Sequence, residues 1–289
     1  MVATIPSFTM QDLFEAGVHF GHRASLWNPL MESFIYGKQN NTHIIDLQKT
    51  TPLLHNALSA IFKIAKQRGR ILFIGTKMQV GPIIAEAAER CGQHYINHRW
   101  LGGTFTNWPT ISGSIKQLVK IEESLAEDNP DLTKKEKLTL QRKKDKMDRL
   151  FCGIREMGGL PDLVFIIDAH KESTAIKEAK KAGIPIVAVL DTNCDPRGID
   201  YPIPGNDDST RAIKLYCELV AESILAGIEA DLSQSGTNIK STEDLEQQIK
   251  QNNDDQQQPD KKSDDGGKNE DMQNAASADN QAASDTKRQ

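Results

Sequence analysis

Three continuous apolar runs restrict what this chain can become: Ile71-Leu72-Phe73-Ile74, Leu163-Val164-Phe165-Ile166-Ile167 and Ile186-Val187-Ala188-Val189-Leu190. A strand with one face in water alternates apolar and polar side chains. A strand that is apolar at every position must be covered on both faces, and parallel sheets achieve this with helices. The first run ends in Gly75-Thr76 and is followed by Ile83, Ile84, Ala87 and Ala88 at helical spacing. The second ends in Asp168 and leads to Ala175, Ile176, Ala179 and Ala182; the third ends in Asp191 and precedes a final helix from about Ser209 to Ile228. Strand, turn and helix recurring in this order predict an α/β domain with a parallel sheet.

Before the first run, Thr9 with Asp12 three residues on reads as a capped helix start, and Leu13, Phe14 and Ala16 lead to a stop at Gly17. His43-Ile44-Ile45-Asp46 reads as a brief strand. The series Leu53, Leu54, Ala57, Leu58, Ile61, Phe62 and Ala65 then predicts a helix ending near Arg68-Gly69. Residues 111–154 depart from the strand–helix pattern. Ile111, Ile115, Leu118 and Leu125 form a narrow seam, Asn129-Pro130 breaks it, and Leu138, Met147, Leu150 and Ile154 follow among dense charge. Two helices are expected here, either paired as a hairpin projecting from the body or lying on the sheet. The division adopted is 1–110 with 155–232 as the α/β domain and 111–154 as an inserted helical (coiled-coil) hairpin. Residues 233–289 form an acidic tail.

That tail carries 12 acids and 7 bases, no aromatic residue, and only Ile239, Leu245, Ile249 and Met272 as large apolar side chains. So little burial cannot offset the entropy of ordering it, and it is expected to be disordered. Its net charge equals the −5 of the whole chain, so residues 1–232 are neutral overall. They are not uniform. Residues 61–104 hold seven bases and two acids, whereas residues 151–232 hold eight bases and fourteen acids. The first segment suits a phosphate-rich partner. Cys91, Cys152, Cys194 and Cys217 form no C-x-x-C pair and are expected to be buried free thiols in a reducing cytoplasm. No stretch of 18 apolar residues occurs, and Asp12 and Glu15 stand where a leader would be basic and then apolar, so a soluble, unexported chain without a membrane partner is expected.

Catalytic and cofactor motifs are weak. Gly75-Thr76-Lys77 follows a strand, yet Gly75 and Gly81 do not make a P-loop and no G-x-G-x-x-G lies in the turns. No cofactor or small-molecule substrate is therefore expected, although Lys77 is placed to touch a phosphate. Asp168, Asp191, Asp195, Asp207 and Asp208 lie near strand ends, where an α/β enzyme keeps carboxylates. Capping is the simpler role: Asp168 for the helix after it, Asp208 for the last helix. No nucleophile elbow or Ser-His-Asp order appears, and no catalytic residue is assigned. His19 and His22 could chelate a metal on a helix, but Gly21 weakens that helix and a distant Asp191 or Asp207 would have to complete the set; no metal is assigned.

The block Asn97-His98-Arg99-Trp100-Leu101-Gly102-Gly103-Thr104-Phe105-Thr106-Asn107-Trp108 packs a guanidinium, three aromatics, amides and two glycines into one loop. Arginine pairs with phosphate or stacks on a base, flat rings stack, and Gly102-Gly103 permits close backbone approach. Trp100, Phe105 and Trp108 are equally suited to plugging the space under the hairpin. Gly21-His22-Arg23 with Trp27-Asn28-Pro29 is a second mixed loop. The candidate RNA-binding set is Arg23, Trp27, Asn28, Lys77, His98, Arg99, Trp100, Gly102, Asn107 and Lys116, with Arg99 and His98 foremost. Trp100 and Phe105 are expected to anchor the loop where the hairpin leaves the sheet.

Several segments together resemble one family. They are Phe14-Glu15-Ala16-Gly17-Val18-His19-Phe20-Gly21-His22, Trp27-Asn28-Pro29, Thr42-His43-Ile44-Ile45-Asp46-Leu47, Ile74-Gly75-Thr76-Lys77, Asn97 to Gly103, Asp191-Thr192-Asn193-Cys194-Asp195-Pro196 and Ile203-Pro204-Gly205-Asn206-Asp207-Asp208. In this order, over about residues 8–230, they resemble bacterial-type small-subunit ribosomal protein two. The resemblance implies a flavodoxin-like three-layer α/β/α domain with a five-stranded parallel sheet and an inserted helical hairpin. It further implies a ribosome-bound, non-enzymatic protein between head and body of the small subunit, joining late in assembly. Such a protein contacts small-subunit rRNA and neighbouring ribosomal proteins, and helps to dock the large mRNA-binding one. Family members often carry a more basic stretch after Gly21-His22; here Arg23-Ala24-Ser25-Leu26 offers one cation.

Overall fold

The computed structural model describes residues 5–126 and 133–234. Its first helix, α1 (Met10–Glu15), starts as the sequence requires: the Thr9 hydroxyl accepts from the Asp12 N–H, and the Asp12 carboxylate accepts from the Thr9 N–H. Gly17, at φ +77°, then turns the chain towards β1 (Phe20–Arg23). β2 (Ile35–Gln39) and β3 (Thr42–Ile45) join β1 in an antiparallel sheet of order β1-β3-β2. Asn40 and Asn41, at φ 48° and 67°, make the two-residue turn between β2 and β3, a position that tolerates asparagine's left-handed backbone. Asp46 caps α2 (Leu47–Lys66), which therefore starts six residues before the first apolar residue of the periodic series.

Next come β4 (Ile71–Ile74), α3 (Gly81–Arg90), β5 (His94–Ile96), α4 (Trp108–Ala126), α5 (Lys134–Phe151), β6 (Leu163–Ile166), α6 (Ser173–Ala182), β7 (Ile186–Leu190), β8 (Tyr201–Pro204) and α7 (Thr210–Gln234). The main sheet is parallel throughout, in the order β5-β4-β6-β7-β8. The chain moves outward from β4 in one direction to β5 and in the other to β6, the flavodoxin-like arrangement.

Period-two alternation divides the apolar runs between two cores. Ile71 and Phe73, Leu163, Phe165 and Ile167, and Val187 and Val189 face one side, where α2, α3 and α7 supply Leu54, Leu58, Ile84 and Ile224. Leu72 and Ile74, Val164 and Ile166, and Ile186, Ala188 and Leu190 face the other, against Ile111, Ile115 and Leu118 of α4 and Ala175, Ile176 and Ala179 of α6. The three layers are thus α/β/α, and β4, β6 and β7 are buried at every position.

α4 combines the two arrangements open from sequence: Ile111, Ile115 and Leu118 belong to the core, while α5 buries only Phe151 and packs on α4. Glu122 of α4 holds Lys144 at 3.4 Å and also Arg155. The break at Asn129-Pro130 lies outside the described residues, as does the acidic tail from residue 235 onward; Ser233 and Gln234 form the end of α7. No helix among the described residues is long and apolar enough to cross a membrane.

Three local expectations need correction. Asn206, not Asp208, serves the start of α7, its Oδ1 accepting from the N–H groups of Asp208 and Ser209. Asp168, at φ 67°, accepts from the Lys171 N–H in the turn before α6, whose own start has no side-chain cap. Cys91, Cys194 and Cys217 are buried free thiols, but Cys152 is exposed.

Candidate nucleic-acid interface

The loop after β5 is built around one carboxylate. Glu178 of α6 accepts from the Gly103 N–H at 2.8 Å and the Trp100 indole N–H at 3.2 Å through Oε1, and from the Phe105 N–H at 3.0 Å through Oε2. Burial alone would raise the Glu178 pKa, but these donors outweigh it and hold the group below its ordinary value. Trp100 and Phe105 meet edge to face with centroids 4.8 Å apart, and Phe105 is buried in the core beneath α4. Gly103 adopts φ +92°, which glycine tolerates without strain.

With its aromatics turned inward, the loop presents His98 and Arg99 outward, both exposed. Across from them stands one face of α5: Arg142, Asp145, Lys146, Arg149 and Leu150 fall at the spacing that puts helical side chains on one side. Together with Trp100, Leu101 and Gly102 they line a cleft of about 620 Å³. Among the described residues that line it, four cations and a histidine face a single carboxylate. A β-carbon added to Gly102 would meet no atom within 4 Å, so the open backbone at the rim is not a packing requirement.

The other sequence candidates scatter. Arg23 is exposed at the end of β1 and Lys116 is exposed on α4. Asn107 is exposed, and its Oδ1 accepts from the Thr110 hydroxyl in the first turn of α4. Trp27 is half-buried against His43, ring centroids 5.4 Å apart. The Asn28 side chain accepts from the Leu30 N–H, and its own N–H donates to the Thr192 carbonyl. Trp27 and Asn28 are thus engaged in holding their own loop.

Lys77, expected on a phosphate, closes instead on carboxylates. Its ammonium lies 2.9 Å from Asp168, 3.1 Å from Asp207 and 2.9 Å from Asp208. Burial would lower its pKa, but these three carboxylates outweigh burial and raise it. The neighbouring Thr76 N–H and hydroxyl donate to Glu172, whose carboxyl is pushed up mainly by burial. At the crevice between β4 and β6, where open α/β sheets commonly bind ligands, an internal carboxylate takes the donors an anionic ligand would need.

His22 joins the same cluster from β1. Its Nδ1 lies 2.8 Å from Asp191 Oδ2 and its Nε2 3.3 Å from Asp208 Oδ2. The hydrogen bond to Asp191 foremost lifts its pKa to about 9. Burial pushes the Asp207 carboxyl up. His19 is not part of this group; β1 is extended, and the His19 ring stacks at 4.4 Å on Phe14.

Sequence reasoning passed over Glu178 and the α5 cations. The dense bases of α5 were visible, but only the fold shows that Arg142, Lys146 and Arg149 turn towards Arg99. Glu178 left a fainter signal, an acid on the apolar stripe that Ala175, Ala179 and Ala182 define.

Comparison with known proteins accords with this architecture. The chain is 57% identical over 240 residues to the small ribosomal subunit protein uS2 of Wolbachia pipientis, covering 82% of this chain and 85% of the relative. It is 55% identical over 241 residues to that of Acidiphilium cryptum, covering 83% and 94%, and 54% identical over 245 residues to that of Granulibacter bethesdensis, covering 85% and 95%. The family model described as Ribosomal protein S2 matches residues 13–227, nearly all of the described fold, and the chain belongs to that family.

Proposed function

We propose that this protein is a structural, non-enzymatic constituent of the small ribosomal subunit, bound to the ribosome in the cytoplasm, and that it holds small-subunit rRNA in the cleft between the Asn97–Asn107 loop and α5. The observation that carries the RNA assignment is the cleft itself: Arg99, Arg142, Lys146 and Arg149 converge on one concave surface with Asp145 as the sole acid among the described residues that line it. Guanidinium groups pair with backbone phosphates in two-point contacts, and His98 offers a face for stacking at the rim. Arg23, Lys116, Gly102 and Asn107, all exposed, extend the RNA face. Trp100, Trp27 and Asn28 position loops, and Lys77 is spent on Asp168, Asp207 and Asp208.

The placement between head and body, and a part in docking the large mRNA-binding ribosomal protein, complete the reading. An apolar protein neighbour suits the exposed rings of Phe14 and Phe20, which flank the His19 ring, with Tyr36 also exposed on the same small sheet.

The test is sedimentation of the tagged full-length protein in a native lysate through gradients of increasing salt. Co-migration with small subunits at low salt that is lost at high salt is expected. Migration as a free protein at every salt concentration would overturn the reading.

A further inference from the structure

We propose that the cleft between the Asn97–Asn107 loop and α5 takes one unpaired nucleotide of RNA, its base stacked on Trp100 and its exocyclic amino group donated to Asp145. The proposal rests on the RNA reading of that cleft and adds which part of an RNA enters it.

The cleft measures about 620 Å³, within the range of pockets that enclose a ligand as large as a nucleotide. A paired helix is too wide to enter and would touch only the cations at the rim. The walls separate the two cases again. Phosphate contact needs only cations, yet Trp100, Leu101 and Leu150 line the same cleft and are half-buried, so each keeps apolar surface in water. A duplex, whose bases already stack on one another, offers nothing to cover that surface. An unpaired base does, and stacking on an aromatic ring is a common way of holding single-stranded RNA.

Trp100 is held ready for this. Its indole N–H is tied to Glu178 at 3.2 Å, and Phe105 meets its ring edge to face at 4.8 Å. The ring is ordered before RNA arrives, so little side-chain freedom is lost on binding. Arg142, Lys146 and Arg149 stand four and three residues apart on α5, steps of about 6 and 4.5 Å along the helix axis. A row at this spacing suits successive phosphates of the one strand that carries the base.

Asp145 bears on which base is taken. An acid among four cations weakens their pull on phosphate, so phosphate binding does not account for it. Its Oδ1 accepts from Gln141 Nε2, one turn earlier, at 2.8 Å, and no described residue donates to its Oδ2. Acidic side chains that read base edges accept from the amino group of cytosine. Uracil has a carbonyl oxygen at that position, which a carboxylate repels.

The full-length protein is titrated at low salt with three RNAs of equal length: oligocytidylate, oligouridylate and a fully paired hairpin. Oligocytidylate should bind at least about 5-fold tighter than oligouridylate and about 10-fold tighter than the hairpin. Asp145→Asn should bring the two oligonucleotides to equal affinity, because an amide can turn either its oxygen or its NH₂ to the base. Trp27→Phe combined with Trp108→Phe leaves Trp100 alone of the three tryptophans, and its emission should be quenched as oligocytidylate binds. If that variant loses its native circular dichroism, 2-aminopurine placed in the oligonucleotide reports stacking with the parent protein. Hairpin binding as tight as that of oligocytidylate, with no quenching, would overturn the nucleotide site and leave the RNA reading standing. Equal affinity of the parent for the two oligonucleotides would overturn the part given to Asp145, and no binding of any of the three RNAs would overturn both readings.

Discussion

Glu178 on α6 accepts a hydrogen bond from the indole N–H of Trp100, 78 residues earlier in the chain, and so ties the loop after β5 to a helix on the same face of the sheet. The same carboxylate also takes the backbone N–H groups of Gly103 and Phe105. Glu178→Gln keeps the shape but gives the site an amide that must place its own two hydrogens among donors. A loss of about 1–3 kcal/mol is expected by urea denaturation.

A pH dependence follows from the same group. Its folded pKa lies below the ordinary glutamate value of 4.5, held there by these donors against the opposing effect of burial. A carboxyl depressed on folding contributes stability that is complete above its unfolded pKa and disappears as pH falls through the folded one. The parent should therefore lose stability relative to Glu178→Gln below about pH 4.5. Matched denaturation curves from pH 6 to pH 3 check this, and parallel curves would refute it.

Salt dependence separates the cleft from the carboxylate cluster. Replacing Arg99 or Arg149 with alanine should each reduce the slope of log affinity against log salt by about 1 in filter binding to small-subunit rRNA. Lys77→Met should leave that slope unchanged while lowering stability, because its partners are carboxylates within the protein. A slope reduced by Lys77→Met to the same degree would return Lys77 to the RNA face.

Gly153 stands where α5 rejoins the body, and a β-carbon there would lie 2.2 Å from the Tyr95 carbonyl oxygen and 2.6 Å from its ring. The backbone would have to shift. Gly153→Ala should destabilise by about 1–3 kcal/mol and tilt the hairpin enough to weaken RNA binding as well. An unchanged melting temperature would show that the junction yields freely.

In the central sheet, Phe165 meets Phe73 edge to face at 5.5 Å, and both are fully buried. Phe165→Ala should cost about 3–5 kcal/mol by equilibrium unfolding. A cost below about 1 kcal/mol would mean that the face repacks around the cavity.

The central strands were legible because burial on both faces forces unbroken apolar runs, as in β4, β6 and β7. The edge strands were not. β5 is three residues with a histidine and a tyrosine, and β8 carries Pro202 and Pro204, which an edge can accept because one side has no ladder to complete. The Asn97–Asn107 loop was legible as composition, since Arg99 and His98 stand among glycines and amides. Its geometry was not, because Glu178 and Arg149 reach it through the fold and not along the chain. The surroundings of Lys77 were not legible for the same reason: its three carboxylates lie 91, 130 and 131 residues away.

The docking of the first forty-odd residues depends on the last part of the fold to be made. The Val18 and Gly17 carbonyls accept from Asn206, His22 leans on Asp191, and the Asn28 N–H donates to Thr192. During synthesis the amino-terminal strands must therefore wait, unanchored, until nearly the whole domain has left the exit tunnel. The closing contacts are made between early and late parts of the nascent domain, so a chain cut short before the turn after β7 should leave its beginning undocked as well as its end.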